Sequence, residues 1–123
     1  MSTYSVDTEP GNALVVLRVH VDTDADLAVE LTRAAARHTG DAGVRCCLVD
    51  MRGTRNVASD LSDYDLAYAG FEGLGLPRYL RIALLVDEGD RSRDFFETLA
   101  SNAGYSLRVF RQDDAARQWL LRR

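Results

Sequence analysis

The sequence predicts one α/β domain spanning residues 1–123, built on a five-stranded, mostly parallel β-sheet with the order β-β-α-β-α-β-α-β-α. Three observations predict this class. Segments that alternate apolar and polar residues give way to segments whose apolar residues recur every three or four positions, the period of a helix. Single helices between strands imply parallel pairing through right-handed crossovers. A chain of 123 residues has the length of one domain with one core.

Five segments have the pattern of strands. The first two flank Pro10-Gly11-Asn12, which is typical of a hairpin turn and predicts that they are antiparallel neighbours. The fourth is almost continuously apolar, which indicates burial on both faces of the sheet. The predicted strands are residues 4–8, 13–21, 44–51, 80–86 and 107–110.

The first two predicted helices follow the second and third strands. Thr23 is expected to cap the first helix, with Asp26 three residues on, and Gly40 is expected to end it. The second begins in the region of Ser59 to Ser62 and is broken by the glycines and proline at 73–77. Its inward side is predicted to carry Leu61, Tyr64, Tyr68 and Phe71.

Two more helices are predicted in the last third of the chain. Asp90 is expected to cap the third, which Gly104 closes, and Asp113 or Asp114 is expected to start the fourth. The third has an apolar stripe of Phe95, Phe96, Leu99, Ala100 and Ala103, and the fourth carries Ala116, Trp119 and Leu120.

Strands lying side by side in chain order would place every helix on one face of the sheet, because each right-handed crossover progresses in the same direction. The other face, which includes Leu14 and Val16, would then have no helix over it. We therefore expect that face to be shielded by loops, by a second subunit or by an apolar ligand.

Composition excludes several classes of protein. The net charge is −4, and the 15 basic residues, all arginine, are spread along the chain without a basic stripe, so no nucleic-acid partner is expected. No apolar run is long enough to span a membrane, and the first residues lack the pattern of a secretion signal. The expected location is the cytoplasm.

The stretch CCLVDMRG, residues 46–53, raises the question of a metal or catalytic site. Cys46 and Cys47 point to opposite faces of a strand, so they are interpreted as small core residues, not as joint metal ligands or a disulfide. Asp50 lies near the carboxyl end of its strand, where α/β proteins bind ligands. Together with Asp22, Asp87 and Glu88 it could bind Mg²⁺ or act as an acid or base, but hydrogen bonding to loop amides is the favoured interpretation.

Four stretches of the chain carry a family resemblance when they are read together: CCLVDMRG, LRIALLVD, DFFETLASNAGYSLRVF and AARQWL. They resemble the SpoIIAA-like family, relatives of the STAS domains of bacterial anti-sigma-factor antagonists. The resemblance covers nearly the whole chain, from the first hairpin to Trp119-Leu120. It implies a sheet with sequential β-α turns and a non-enzymatic protein without cofactors, catalytic residues or bound metal.

The same resemblance implies a regulatory or protein-interaction module with a protein partner, and a homodimer is one candidate assembly. The docking or regulatory region would comprise Asp50, Arg52, Arg55, Ser59 and Ser62. STAS antagonists carry a phosphorylated serine in an Asp-Ser-Ser-Gly-like stretch at the start of the helix after the central strand. This chain reads VASDLSDYDLA there and lacks the Ser-Gly element, so Ser59 and Ser62 are interpreted as helix caps.

An alternative function also follows from the resemblance. The fold is related in shape to lipid-carrying CRAL-TRIO domains, which implies a carrier or sensor of an apolar, lipid-like small molecule. The residues expected to line its cavity are Tyr64, Tyr68 and Phe71, although aromatic residues at helical spacing are more often part of a core.

Overall fold

The structure, a computed structural model, describes residues 2–9, 11 and 13–122. The predicted order of elements is confirmed, and the second predicted helix consists of three consecutive pieces. The elements are β1 (Tyr4–Glu9), β2 (Leu14–Val19), α1 (Ala25–Ala42), β3 (Cys46–Asp50), α2 (Asp60–Asp65), a π-helical turn (Leu66–Gly70), α3 (Phe71–Gly73), β4 (Arg81–Leu85), α4 (Asp94–Asn102), β5 (Ser106–Phe110) and α5 (Asp113–Leu121).

The five strands form one sheet in the order β1-β2-β3-β4-β5. β1 and β2 are antiparallel, with Glu9 opposite Leu14, and the other neighbours are parallel. The fold class and the sequential strand order predicted from the sequence are therefore confirmed. Of the predicted hairpin turn, Pro10 and Asn12 lie outside the described residues.

The first face of the sheet packs against α1, the α2–α3 segment and α4. Alternate strand residues such as Leu17, Val49 and Leu84 point to this side, which contains the larger part of the core. Cys47 belongs to this core and is fully buried, whereas Cys46 packs on the opposite face. The predicted separation of the two cysteines is thus confirmed.

The second face is covered by α5, so the expectation of a face without a helix was wrong. Ala116 and Leu120 pack on Leu14, Leu48 and Leu85. The physical reason is that a crossover constrains only a helix that connects two parallel strands. Within the described residues α5 connects no two strands, so the chain is free to fold back over the other side and bury the apolar residues there.

The carboxyl end of α5 is held by side chains from the sheet. The Arg81 guanidinium donates to the carbonyl oxygens of Trp119 at 3.1 Å and Arg122 at 2.8 Å, and the Cys46 thiol donates to that of Leu120 at 2.9 Å. These donors satisfy carbonyl groups that a helix end leaves without intrahelical partners. On the other side of the helix, Arg117 pairs with Glu9 of β1 at 2.9 Å.

Two helix boundaries differ from the prediction. Asp24, not Thr23, caps α1 by accepting a hydrogen bond from the Leu27 amide at 2.8 Å, and α1 continues past Gly40 to end at Gly43, whose φ of 68° is left-handed. A glycine inside a helix costs only about 1 kcal/mol, so the long helix tolerates Gly40.

The third predicted helix starts later than expected. α4 begins at Asp94, because Asp90 is buried in an ion pair and does not cap the helix. Leu99 and Ala100 of the predicted apolar stripe are buried, but Phe95 is exposed. Within the described ranges, no helix has the length and apolar character needed to cross a bilayer.

Candidate functional site

The loops that follow β2, β3 and β4 meet at the carboxyl edge of the sheet. Thr23 and Asn56 extend the parallel pairing by one isolated bridge. The Thr23 amide donates to the Arg55 carbonyl at 2.8 Å, and the Val57 amide donates to the Thr23 carbonyl at 2.9 Å. Thr23 therefore joins the first two loops, which explains why the residue predicted to cap α1 is buried instead.

A buried ion pair fixes the third loop to the other two. Arg93, with 2% of its surface exposed, donates to the Asp90 carboxylate at 2.9 Å. Its guanidinium also donates to the Thr54 carbonyl and to the Thr54 and Thr23 hydroxyls at 3.2–3.3 Å. Burial lowers the pKa of Arg93, and the negative charge of Asp90 opposes that shift. The pair holds all three loops in one arrangement.

The predicted site residue Asp50 lies in an ion-pair cluster on the second face of the sheet. Arg52 donates to both of its carboxylate oxygens, at 3.0 and 2.8 Å, and Arg18 donates to it at 3.4 Å. Burial acts to raise the pKa of Asp50, but the hydrogen bonds from Arg52 and the charges of Arg52 and Arg18 outweigh it, so the pKa lies below its usual value. Asp50 also accepts a hydrogen bond from the Arg52 amide, as the structural interpretation predicted.

The other carboxylates near this edge hold backbone. Asp87 accepts a hydrogen bond from the Gly53 amide at 2.7 Å, and Asp22 accepts one from the Arg55 amide at 3.0 Å. Among the described residues, the acids, histidines and cysteines form no group of three that could hold a metal ion. These carboxylates thus order the loop between β3 and α2, and they leave the Arg55 side chain exposed at its surface.

Ser59 caps α2. Its hydroxyl oxygen accepts a hydrogen bond from the Ser62 amide at 3.1 Å, and its O–H group donates to the Ser62 hydroxyl at 3.0 Å. The two serines predicted as regulatory residues therefore pair with each other at the helix start, in the geometry of ordinary capping.

Four residues of the second helix were predicted to face inward, and the prediction was wrong for three of them. Leu61, Tyr64 and Tyr68 are exposed by 70%, 50% and 42%, and only Phe71 is buried, with 3% of its surface exposed. Tyr64 and Phe71 are seven residues apart and would share a face of a regular α-helix. The π-helical turn between them, in which the Phe71 amide donates to the Leu66 carbonyl, changes the phase and turns Phe71 inward.

The exposed residues form a surface on the outside of this helix. The Tyr64 and Tyr68 rings contact each other with their centroids 4.7 Å apart and their planes tilted by 32°, and Leu61 lies one turn before Tyr64. Residues 56–77 include four acids, at 60, 63, 65 and 72, and no lysine, arginine or histidine. We refer to Leu61, Tyr64 and Tyr68 with the exposed acids Asp60 and Asp65 as the α2 outer surface.

A cavity of about 70 Å³ lies on the inner side of the same helix, between it, α1, α4 and the first face of the sheet. Phe71 lines this cavity, so one of the three residues predicted there is in place, and Tyr64 and Tyr68 are not. Most of its wall is apolar, but five of the lining residues have polar side chains. These are Thr23, Thr32, Asn56, Asp63 and Arg93.

An open groove of about 250 Å³ lies between the start of α1 and α2. It shares Ala28, Asp63 and Leu66 with the cavity, so these residues separate the interior from the surface. Asp63 has 6% of its surface exposed, and the side-chain amide of Asn56 donates to its carboxylate at 3.0 Å. Burial raises the pKa of Asp63, the charge of Asp60 adds to this, and Asn56 and Arg93 oppose it only in part.

Sequence reasoning did not single out Asp63, Asn56 or Arg93. One signal was present: Asp63 lies three and four residues before Leu66 and Ala67, which places an acid on an apolar helical stripe. That stripe could be recognised as the buried one only with the π-helical turn known. The Arg93 contacts involve residues 39 and 70 positions away in the chain, which no local pattern indicates.

Comparisons of this chain with protein-family models, with curated proteins and with solved structures each found no match.

Proposed function

We propose that this protein is a non-enzymatic interaction module of the SpoIIAA-like type and that it binds a protein partner through the α2 outer surface. The single observation that carries the proposal is the outward orientation of Leu61, Tyr64 and Tyr68. Aromatic residues exposed together on one helix are typical of contact surfaces, because rigid rings contribute a large contact area. The surface begins at the capped start of α2, where the family resemblance also puts docking.

The charge of this segment supports a partner of a particular chemistry. The exposed acids Asp60 and Asp65 make the α2 outer surface negative, because residues 56–77 contain no basic side chain that could offset them. A basic segment carrying apolar anchors would match both the charge and the exposed rings. The proposed partner is therefore a protein with a cationic, amphipathic docking segment.

Substitution of single tyrosines tests this function. Tyr64→Ser and Tyr68→Ser remove apolar contact area from exposed positions, so each is expected to lose partner proteins that the wild type captures from an extract of its source cells. Tyr79→Ser is the control, because Tyr79 is also an exposed tyrosine but lies in the loop before β4, outside the α2 outer surface. Identification of the bound proteins by mass spectrometry gives the readout. Identical partner sets for all four proteins would contradict the proposal.

The predicted residues Arg52 and Ser59 test how far the docking surface extends. Arg52→Ala removes a half-exposed side chain and leaves Asp50 its ion pair with Arg18. Ser59→Asp keeps a good capping residue and adds a charge. Both variants are expected to alter partner capture with a nearly unchanged melting temperature. If capture is unaffected, the surface ends at α2.

A second candidate function, a carrier or sensor of an apolar small molecule, is favoured by the cavity beside Phe71. Its volume of about 70 Å³ is roughly half that of an engineered cavity of ~150 Å³ that binds benzene. A long lipid chain would therefore not fit without rearrangement. A small molecule, held partly in the groove, is the ligand class that this geometry supports.

A further inference from the structure

The cavity and the groove meet at Asp63, and this junction carries a more specific inference about the ligand. Asp63 lines both spaces, together with Ala28 and Leu66. A molecule entering from the groove would place its outer end beside the Asp63 carboxylate and its inner end among apolar residues such as Phe71, Ile82 and Leu84. The ligand that fits is amphipathic, with a polar head at the junction.

The hydrogen bonds of the polar side chains in the cavity wall indicate which charge the head group of the ligand would carry. Arg93 is the cation in the cavity wall, and both of its terminal nitrogens already donate to protein oxygens of Asp90, Thr54 and Thr23. An anionic head would therefore find no free donor on those nitrogens. In the part of the chain that the structure describes, the Asp63 carboxylate accepts a hydrogen bond from Asn56 alone and retains capacity for further donors.

The residues that line the groove also favour a cationic head group over an anionic one. Its lining includes two acids, Asp63 and Asp65, and no basic residue. A carboxylate at the edge of an apolar space is favourable for a cation, because the pair compensates the cost of removing each charge from water. The lining thus selects against carboxylates and in favour of ammonium groups.

We propose that the cavity is a binding site for a small organic amine, whose ammonium head pairs with Asp63 and whose short apolar body lies beside Phe71. This inference rests on the second proposed function, the binding of an apolar small molecule, and adds the chemical class of the ligand and the residue that recognises it. The α2 segment forms the outer wall of this site and also carries the α2 outer surface.

The test compares amines with matched neutral and anionic molecules. n-Propylamine, 1-propanol and butyrate share a propyl chain, as n-butylamine, 1-butanol and pentanoate share a butyl chain, and chains of this length suit a cavity of about 70 Å³. Titrations followed by amide chemical shifts in NMR are expected to show amines binding at least tenfold more tightly than the alcohols, with no binding of the carboxylates. The shifted amides should cluster at residues 28–35 and 63–71.

Two variants locate the site. Asp63→Asn is expected to weaken amine binding at least tenfold, whereas Asp41→Asn, which removes the same charge from an exposed position on α1, should leave it unchanged. Ala28→Phe fills the junction from a half-buried position and should block all ligands; it keeps the test valid if Asp63→Asn does not fold.

The possible outcomes distinguish a failure of the amine inference from a failure of the proposed binding of an apolar small molecule. Alcohols and amines binding equally well at these residues would overturn the amine inference and leave the apolar-ligand function standing. Amine binding that survives Asp63→Asn, or that Asp41→Asn weakens as much, would also overturn it. No binding of any probe by the folded protein would overturn both.

Discussion

At the scale of single residues, two buried charged groups differ in what they contribute. Arg93 and Asp90 neutralise each other, and Arg93 also satisfies oxygens of two other loops. Asp63 has an amide partner but no ion pair at contact distance among the described residues, and its pKa is raised. Arg93 is therefore expected to stabilise the loops, and Asp63 is expected to cost stability at neutral pH.

Arg93→Ala should reduce the free energy of unfolding by about 3–5 kcal/mol, because it leaves the Asp90 carboxylate buried without its partner. Urea denaturation of wild type and variant gives the difference. Arg91→Ala is the control, since the Arg91 side chain is 74% exposed and its ion pair with Asp94 contributes about 0–1 kcal/mol at most. Equal losses for the two variants would contradict the structural role of Arg93.

Asp63→Asn should raise the free energy of unfolding at pH 7.5. The carboxyl pKa is higher in the folded than in the unfolded chain, so the folded state binds more protons and loses stability as pH rises. Asparagine cannot ionise and avoids that loss. Below about pH 3 the carboxyl is protonated in both states, and the difference between variant and wild type should vanish.

Thermal unfolding at pH 3 and pH 7.5 measures this difference. The control is Asp65→Asn, an exposed acid on the same helix, which should change the free energy by less than about 0.5 kcal/mol at either pH. A destabilised Asp63→Asn variant at pH 7.5 would show that the carboxylate is favourable where it lies.

At the scale of elements, the π-helical turn decides which residues of the second helix face the core. Gly70 belongs to this turn, and a Cβ atom there would lie 2.8 Å from the Leu66 side chain, so glycine permits the close packing. The turn orients Phe71 toward Phe96 and Tyr105, with ring centroids 5.6 and 5.0 Å away, and leaves Tyr68 outside. One local irregularity therefore creates both the cavity wall and the outer surface.

Phe71→Ala should cost about 3–5 kcal/mol in unfolding free energy, as the removal of a buried ring does. Tyr68→Ala should cost less than about 1 kcal/mol, because it removes an exposed ring and one aromatic contact. Chemical denaturation of both variants measures the contrast. Similar costs, or a larger cost for Tyr68→Ala, would mean that the helix has the regular phase predicted from the sequence.

At the scale of the whole molecule, α5 determines what happens to the second face of the sheet. Apolar residues there, including Val16 and Leu48, are buried beneath Ala116 and Leu120. The sequence predicted no helix on this face, and that prediction was one reason to consider a second subunit. With α5 in place, a homodimer stays a prediction with no support from this face.

Removal of residues 113–123 should uncover that face and cause self-association, because a contiguous apolar surface is unfavourable in water. Size-exclusion chromatography with light scattering, and binding of a hydrophobic dye, measure the change against the full chain. Arg117→Ala is the control: it removes the pairs to Glu9 and Asp113 but leaves the apolar contacts of α5. A truncated chain with the mass and dye binding of the full chain would contradict this role.

The architecture was predictable from the sequence because it depends on local patterns. Period-two and helical apolar spacing located the strands and helices of the described residues, and single helices between strands indicated the parallel pairing. Opposite orientations for Cys46 and Cys47 followed from strand geometry. Boundaries such as Gly43 in place of Gly40 were less accurate, since either glycine could end a helix.

The candidate site was less predictable because its geometry depends on contacts between distant parts of the chain. Arg93 reaches Thr23 across 70 residues, and Asn56 meets Asp63 only after the loop and helix fold together. The phase change at the π-helical turn required knowledge of how Leu66 and Gly70 pack. Those interactions turned Tyr64 and Tyr68 outward and brought an acid to the cavity.

By itself, the sequence determined the order and type of the elements and the charge of the second helix, since each follows from residues near one another in the chain. Only the tertiary structure decided which side of that helix is buried, that α5 covers the second face, and that Asp63 lies between groove and cavity. The reason is that packing selects among arrangements that local patterns allow equally.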